Sequence, residues 1–298
     1  MISTHPALET FPAAWPQIPD WARPSRDPNP EDWACFAGAA FAYLDVALRA
    51  PGVPLALLRD RLALRAAVAC TALTGRPESA GALRDAVHLR CPGDSAGPAG
   101  ETYLQWRRAV ARPVSCAALH AVLPGHDLAD VTRWRAAGAG EGMPVARAVA
   151  VLEAVLSEAP RAETDALILA EAALVDALGW PRITPVLTPG LAPRDLRRTG
   201  ADLWLACHRA IVAAAGEAVQ LVSDLSRRGE RLRAAAPCLR ARGAEEAVET
   251  ILRQDAVTPG ALSVLRSDRA ARRFCDRLVA LGVVRELTGR DTSRLYGI

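Results

Sequence analysis

Seven arginines near the C-terminus carry the most legible chemistry: Arg266, Arg269, Arg272, Arg273, Arg277, Arg290 and Arg294. Guanidinium groups bind phosphate oxygens, and on a helix in the major groove they read guanine O6 and N7 bidentately. From Arg266 onward eight arginines stand against four acids, a net +4 in a chain whose whole formal charge is +3. The positive charge is therefore concentrated at this end, and DNA is the partner it predicts, with Arg290 and Arg294 reaching the adjacent backbone. Asp268 and Asp276 dilute the stripe. All 36 basic residues of the chain are arginine and alanine is abundant; a GC-rich coding sequence produces that bias by itself, so placement counts for more than number.

Other reactive residue types lie in weaker arrangements. His88 and Cys91, with Asp85 one turn earlier, have a spacing that could supply two metal ligands, but a third and fourth are unspecified. A polar network in which Arg84, Asp85 and His88 fix the following Gly-Pro loop is the preferred reading. Asp60, Arg61 and Arg65 sit in an otherwise apolar helix, where buried charge must be paired, and Asp85 or Asp45 is the expected partner. Cys207 and His208 are neighbours on a helix and point about 100° apart, which separates thiol from imidazole. His120 and His126 flank a Pro124-Gly125 turn before Asp127, with no nucleophile elbow or H-E-x-x-H pattern, and read as a surface loop. Gly93, Gly97 and Gly100 lack both a preceding strand and a G-K-[ST] ending, so they are not a phosphate loop. The sequence thus predicts no catalytic residue, no metal ligand set and no cofactor.

The elements that must position these residues are helices. Prolines at 6, 12, 16, 19, 24, 28 and 30 make residues 1–30 an extended arm, with Trp15 and Trp21 as anchors. A helical body is expected over 31–182, with a nearly all-apolar, central helix from Asp32 to Arg49 packed with helices at Pro54 to Thr74 and Glu78 to Arg90. Shorter helices follow at 101–110, 116–122, 128–137, 144–156 and 164–178. A second proline-rich break, Trp180 to Pro193, suggests a boundary before residues 183–242, which hold a long helix, Ala201 to Ser226, and an arginine-rich connector. Arg227, Arg228, Arg231, Arg233, Arg240 and Arg242 there could extend a phosphate-contacting surface.

Residues 243–298 are the clearest unit. Helices are expected at Ala244 to Arg253, Thr258 to Leu265 and Ser267 to Leu281, then strands at Val283 to Leu287 and Thr292 to Tyr296 around a Gly289 turn. In the third helix, Ala271, Phe274, Cys275, Leu278 and Leu281 share one face while Arg269, Arg272, Arg273 and Asp276 lie opposite, with Arg277 at the edge. Three helices and a hairpin describe a winged helix, and the third helix has the form of a recognition helix. The fold class is therefore all-α, a helical-bundle body with a C-terminal winged-helix module contributing one short β-hairpin.

The run from Cys275 to Arg290, closing with Arg294-Leu295-Tyr296-Gly297, resembles the winged tail of many bacterial Fic-like proteins, over about a fifth of the chain. The Fic catalytic signature, a histidine followed by a glycine-asparagine-glycine-arginine loop, is absent, so the resemblance implies fold without AMP transfer. Leu83-Arg84-Asp85-Ala86-Val87-His88-Leu89, Pro92-Gly93-Asp94, Gly97-Pro98-Ala99-Gly100 and Ala206-Cys207-His208-Arg209-Ala210 are similar to a bacterial family known as domain of unknown function 1403, over nearly the whole chain. That resemblance implies association with plasmids and mobile elements and carries no catalytic residues.

At 298 residues, 51% hydrophobic and 23% charged, the chain is long enough for a substantial core, and disorder and fibrous repeats are excluded. Seven scattered cysteines without a C-x-x-C pair read as reduced, buried thiols. Residues 1–20 show no basic region followed by an apolar run, and no stretch reads as a membrane span, so the cytoplasm is the expected compartment. The leading functional expectation is a non-enzymatic DNA-binding regulator or accessory factor of a mobile element. A protein-interaction scaffold whose winged helix docks a partner ranks second, a homo-oligomer being compatible with either. A divergent Fic-like enzyme ranks last.

Overall fold

A computed structural model describes residues 18–24, 28–91, 93–239, 241–288 and 293–298. Trp15 of the N-terminal arm, Arg240 of the connector, and Gly289 and Arg290 of the hairpin turn lie outside these residues. The described chain is mostly helical. The body contains α1 (Pro30–Arg49), α2 (Leu55–Leu73), α3 (Ala80–His88), α4 (Gly97–Ala111), α5 (Cys116–His120), α6 (Leu128–Ala137), α7 (Pro144–Glu158) and α8 (Glu163–Leu178). It is followed by α9 (Gly200–Ala235), α10 (Ala244–Ile251), α11 (Asp268–Ala280) and a hairpin of β1 (Arg285–Glu286) and β2 (Tyr296–Gly297).

Local chemistry sets several of these boundaries. Asn29 starts α1 through a capping box: its side chain accepts from the Asp32 amide at 2.8 Å while Asp32 accepts from the Asn29 amide at 3.0 Å, with Pro30 at the first helical position. Ser79, Ser115, Asp127 and Ser267 cap α3, α5, α6 and α11 in the same sense.

The central helices are α2 and α8 rather than α1. Helix α1 buries one stripe, Phe36, Ala37, Phe41 and Leu44, against α9 and leaves Val46 exposed, whereas every residue of α8 from Ala166 to Val175 is buried. Helix α2 packs mainly on α4, and α7 packs along α8. Deep between α2 and α4, the Trp106 indole donates to Cys70 Sγ at 3.3 Å.

The proline-rich break after α8 is also interior. Residues Ile183 to Thr188 are all buried, and a buried irregular segment must find partners for its backbone N–H groups. Glu171 of α8 supplies them: its carboxylate accepts from the amides of Val186 (3.3 Å), Leu187 (2.9 Å) and Thr188 (2.9 Å). The segment then runs so close to α9 that a Cβ on Gly190 would collide with the backbone of Ala210.

Helix α9 extends beyond the expected Ala201 to Ser226, so Arg227, Arg228, Arg231 and Arg233 are helical rather than part of a connector. Arg227 pairs with Asp224, and Arg233 with Glu249 of α10 at 2.9 Å. By length and composition alone, Gly200–Leu239 could cross a membrane, but its apolar face, including Leu203, Ile211, Val222 and Leu225, is buried, and α9 packs on α1 and α7. One hydrophobic cluster runs from Ala37 through α9 and α10 to Ile298.

Candidate nucleic-acid interface

Residues 243–298 build outward from apolar anchors. Gly243 enters α10 with φ +85°, and Ala244, Ala247, Val248 and Ile251 are buried. Val257 then lies beside β2, exchanging two backbone hydrogen bonds of 2.9 Å with Tyr296. The expected helix over Thr258 to Leu265 is only a 3-10 turn, Pro259–Ala261, capped by the Thr258 hydroxyl. The Val257 pairing beside β2 holds the chain extended as far as Thr258, and the turn ends at Leu262, whose ψ of 55° is not helical.

Helix α11 has the expected two faces. Ala271, Phe274, Cys275 and Leu278 are buried; Arg269, Arg272, Arg273 and Arg277 are exposed, as is Arg266 just before the helix. Leu281, read onto the core face, is instead 49% exposed, because it is the C-cap residue where the backbone leaves the helix for the Gly282 turn (φ +66°). None of these five arginines forms an ion pair with a described residue, so their guanidinium donors remain available. Arg294 is committed differently: it stands 3.9 Å from Asp276 and 3.6 Å from Glu286, on the side of the hairpin where the Tyr296 hydroxyl also approaches Asp276. The hairpin pairs Arg285 with Gly297 and Glu286 with Tyr296.

The arginine face continues into a cleft of about 480 Å³ between α11 and the end of α3, lined by His88, Arg90, Asp268, Arg272, Asp276 and Arg294 among others. Three arginines and two aspartates give it mixed charge. Burial, reinforced by the Arg107 charge, pushes the His88 imidazole down to about 4, so it is neutral at pH 7. Its Nε2 is buried without a partner.

A buried charge network holds this unit against the body. Asp255, 0% exposed, accepts from Arg61 Nε of α2 at 2.6 Å and from Arg84 of α3 through both Nε and Nη2, the latter at 3.2 Å. Its own amide donates to Asp60 Oδ2 at 2.9 Å, while Asp60 Oδ1 takes Arg107 Nε of α4 at 2.8 Å. Arg61 Nη2 also donates to the Ile298 carbonyl at 3.1 Å. Burial alone would raise the Asp255 carboxyl, but the Arg84 hydrogen bonds and the Arg61 and Arg84 charges outweigh it and hold the group below its ordinary range. The expected pairing of Arg61 with Asp85 or Asp45 is therefore corrected to Asp255, and Asp60 takes Arg107. Asp45 instead binds Arg49 and the Trp180 indole, and Arg65 reaches Glu217 at 3.4 Å. The signal for Asp255 in the sequence was a lone carboxylate before the apolar pair Ala256-Val257.

The remaining candidates resolve into structure. Cys207 is buried and His208 Nδ1 lies 2.8 Å from the Trp204 carbonyl, its ring 3.8 Å from the Trp204 ring. His126 lies on the expected loop between α5 and α6, but its side chain turns inward: its Nε2 meets Asp165 Oδ2 at 2.9 Å, with Gln105 Nε2 on the other carboxylate oxygen at 2.6 Å and Trp134 edge-on at 4.8 Å. Among the seven free cysteines, Cys70, Cys207 and Cys275 are buried, but Cys35, Cys91 and Cys238 are exposed, contrary to the expectation of buried thiols. Among the described residues no three His, Cys, Asp or Glu side chains converge as a metal site.

No curated protein matches the chain. Residues 8–298 match the family described as "Protein of unknown function (DUF1403)", and the chain belongs to that family.

Proposed function

We propose that residues 243–298 are a winged helix and that the protein is a non-enzymatic, cytoplasmic DNA-binding regulator or accessory factor of a bacterial plasmid or mobile element. The observation carrying this reading is the unpaired guanidinium face of α11, backed by a fully apolar opposite face. A helix so anchored presents Arg269 and Arg273 outward with Arg272 and Arg277 on either flank, the disposition a major groove accepts. The Val257 bridge beside the hairpin supports the winged-helix reading, since it adds a third extended segment to the two strands. Arg266 would contact the backbone beside the helix. Arg294, braced by Asp276 and Glu286, would stiffen the wing more than bind phosphate, leaving Arg290 as its phosphate contact. The similarity of the tail to Fic-like proteins supports fold only, and the mobile-element setting rests on the family resemblance.

The test is binding of the full chain to a labelled random-sequence duplex pool at two salt concentrations, beside the Arg269→Ala, Arg272→Ala, Arg273→Ala triple variant. Each lost phosphate contact lowers the log-log salt slope by about 0.9. Absence of salt-sensitive binding at low salt sinks the reading. Docking of a protein partner is the second reading, favoured by exposed Val264, Val279 and Leu281 in and beside α11.

A further inference from the structure

A second arginine cluster lies apart from α11. Arg59 and Asp60 of α2, Arg107 and Arg108 of α4, Arg182 after α8 and Arg253 after α10 line a cavity of about 640 Å³. Five guanidinium groups thus face one carboxylate, and that carboxylate is already engaged by Arg107 and by the Asp255 amide.

Arg59 is the informative member. Its Nε is buried and makes no hydrogen bond, and no described carboxylate lies within ion-pair distance of it. Both its burial and the charge of Arg182 disfavour the guanidinium cation. A half-buried cation that faces another cation with an orphaned donor is a costly arrangement in a folded protein. The other members keep donors free. Arg182 gives one Nη to the Ala111 carbonyl and has no described acid partner. Arg107 uses only Nε, and its guanidinium sits 5.7 Å from the Tyr103 ring centre. Arg108 touches Glu101 only at 3.8 Å, and Arg253 is exposed and unpaired among the described residues.

We propose that this cavity binds a small phosphorylated ligand, with the guanidinium groups of Arg59, Arg107, Arg182 and Arg253 around the phosphate oxygens. Planar guanidinium forks match phosphate oxygens bidentately, and several of them together suit an anion carrying more than one charge. The volume falls in the range of small-molecule sites, about 300–1,000 Å³, and exceeds what inorganic phosphate fills. A duplex backbone phosphate shares this chemistry, and the duplex arm of the experiment below separates the two sources. The position is also consequential: Arg253 stands two residues before Asp255, and Asp60 belongs both to the cavity wall and to the buried network. An occupant would bridge the body and the C-terminal unit. The site stands whether or not α11 binds DNA.

The experiment is calorimetric titration of the full chain with pyrophosphate and with ATP, beside sodium sulfate at matched ionic strength as the control for screening. Wild type should bind pyrophosphate or ATP saturably, more tightly than sulfate. Arg59→Gln and the surface variant Arg253→Gln should each weaken binding by about tenfold or more, on the strength of one charge-assisted contact. Arg59→Gln should also melt no lower than wild type without ligand, because it removes an unpaired, half-buried charge that faces Arg182. The α11 triple variant should bind both probes like wild type, which separates this site from the DNA reading. Absence of saturable binding to both probes, or equal affinity in Arg59→Gln and Arg253→Gln to that of wild type, overturns the proposal. So does competition of a DNA duplex for the site with loss of duplex binding in Arg253→Gln, which would make the nucleic-acid backbone the occupant.

Discussion

Replacement of Asp255 by asparagine should be among the most damaging single changes in this chain. The side chain is fully buried, and the two guanidinium groups it neutralises have side chains only 16% and 19% exposed. The carboxamide would keep one acceptor oxygen, lose the negative charge, and turn an amide N–H₂ toward a guanidinium donor. Asp60 cannot compensate, because it already balances Arg107. Breaking a buried ion pair in this way costs about 3–5 kcal/mol, and two pairs sharing one carboxylate do not add in full. A loss of about 4 kcal/mol is therefore expected, a large share of the roughly 5–15 kcal/mol that holds most domains. The assay is urea unfolding of both proteins at pH 7 followed by far-UV circular dichroism. At about 2–3 kcal/mol per molar urea, the midpoint should fall by about 1.3–2 M. A loss below about 1 kcal/mol would refute the reasoning, since it would mean that water or rearrangement neutralises the arginines without Asp255. A companion protein with Asp255→Leu, Arg61→Met and Arg84→Met should recover much of the loss by removing the need to desolvate charge. The sign with pH follows from the direction of the Asp255 shift. Its folded value lies below the ordinary 3.8, so its contribution is complete above that pH and disappears as acid passes through the folded value.

Glu171 behaves oppositely. Burial raises it to about 7 from 4.5 despite its three backbone donors, so its contribution is present below 4.5 and is lost as pH rises to 7, on the order of 3 kcal/mol. Glu171→Gln keeps an acceptor oxygen and should gain on wild type across that interval in parallel melts; identical pH profiles would refute this. The difference between the two proteins is the useful readout, because His88, lowered by burial, imposes the reverse slope between 6.5 and about 4 on both. A Cβ on Gly297 would lie 2.6 Å from the Asp255 carbonyl oxygen and 3.1 Å from Leu287 Cδ1, so Gly297→Ala should lower stability by about 1–3 kcal/mol. Gly216, inside α9 with nothing within 4 Å of its virtual Cβ, is the counterpart: Gly216→Ala should raise stability by about 0.5–1 kcal/mol. Thermal melts of the two variants, shifting in opposite directions, check both. The Arg269, Arg272, Arg273 triple alanine should move the melting temperature by no more than about 3–6 °C, because each surface substitution usually stays within about ±0.5 kcal/mol and three together within about 1.5 kcal/mol.

The features legible in the sequence are those decided within a few residues. The Asn29 and Ser267 caps, the Gly282 turn and the two faces of α11 depend on local hydrogen bonds and on a period of about 3.6, both visible in a short window, whereas the second strand, expected at Thr292 to Tyr296, is Tyr296–Gly297. The same locality explains the misreadings. Alanine-rich helices look alike from inside, so α1 read as central although α8 is the one buried on every side, and the 258–265 helix gave way once Val257 was paired beside β2. The prolines of 181–193 signalled irregular backbone correctly, but whether that backbone lies on the surface or in the core depended on Glu171, which is sixteen positions before Leu187. Charge partnership is the extreme case. Arg61 and Asp255 are 194 residues apart, and any of the acids near α2 in the sequence would have satisfied the rule that buried charge is paired. The anion cavity likewise draws arginines from four separate segments, none of which marks itself by spacing. Residue type and periodicity thus determined which groups needed a partner. Only the packing of α2, α3, α4 and the C-terminal unit against one another decided which partner each received, because desolvation is set by the whole fold and not by the chain on either side.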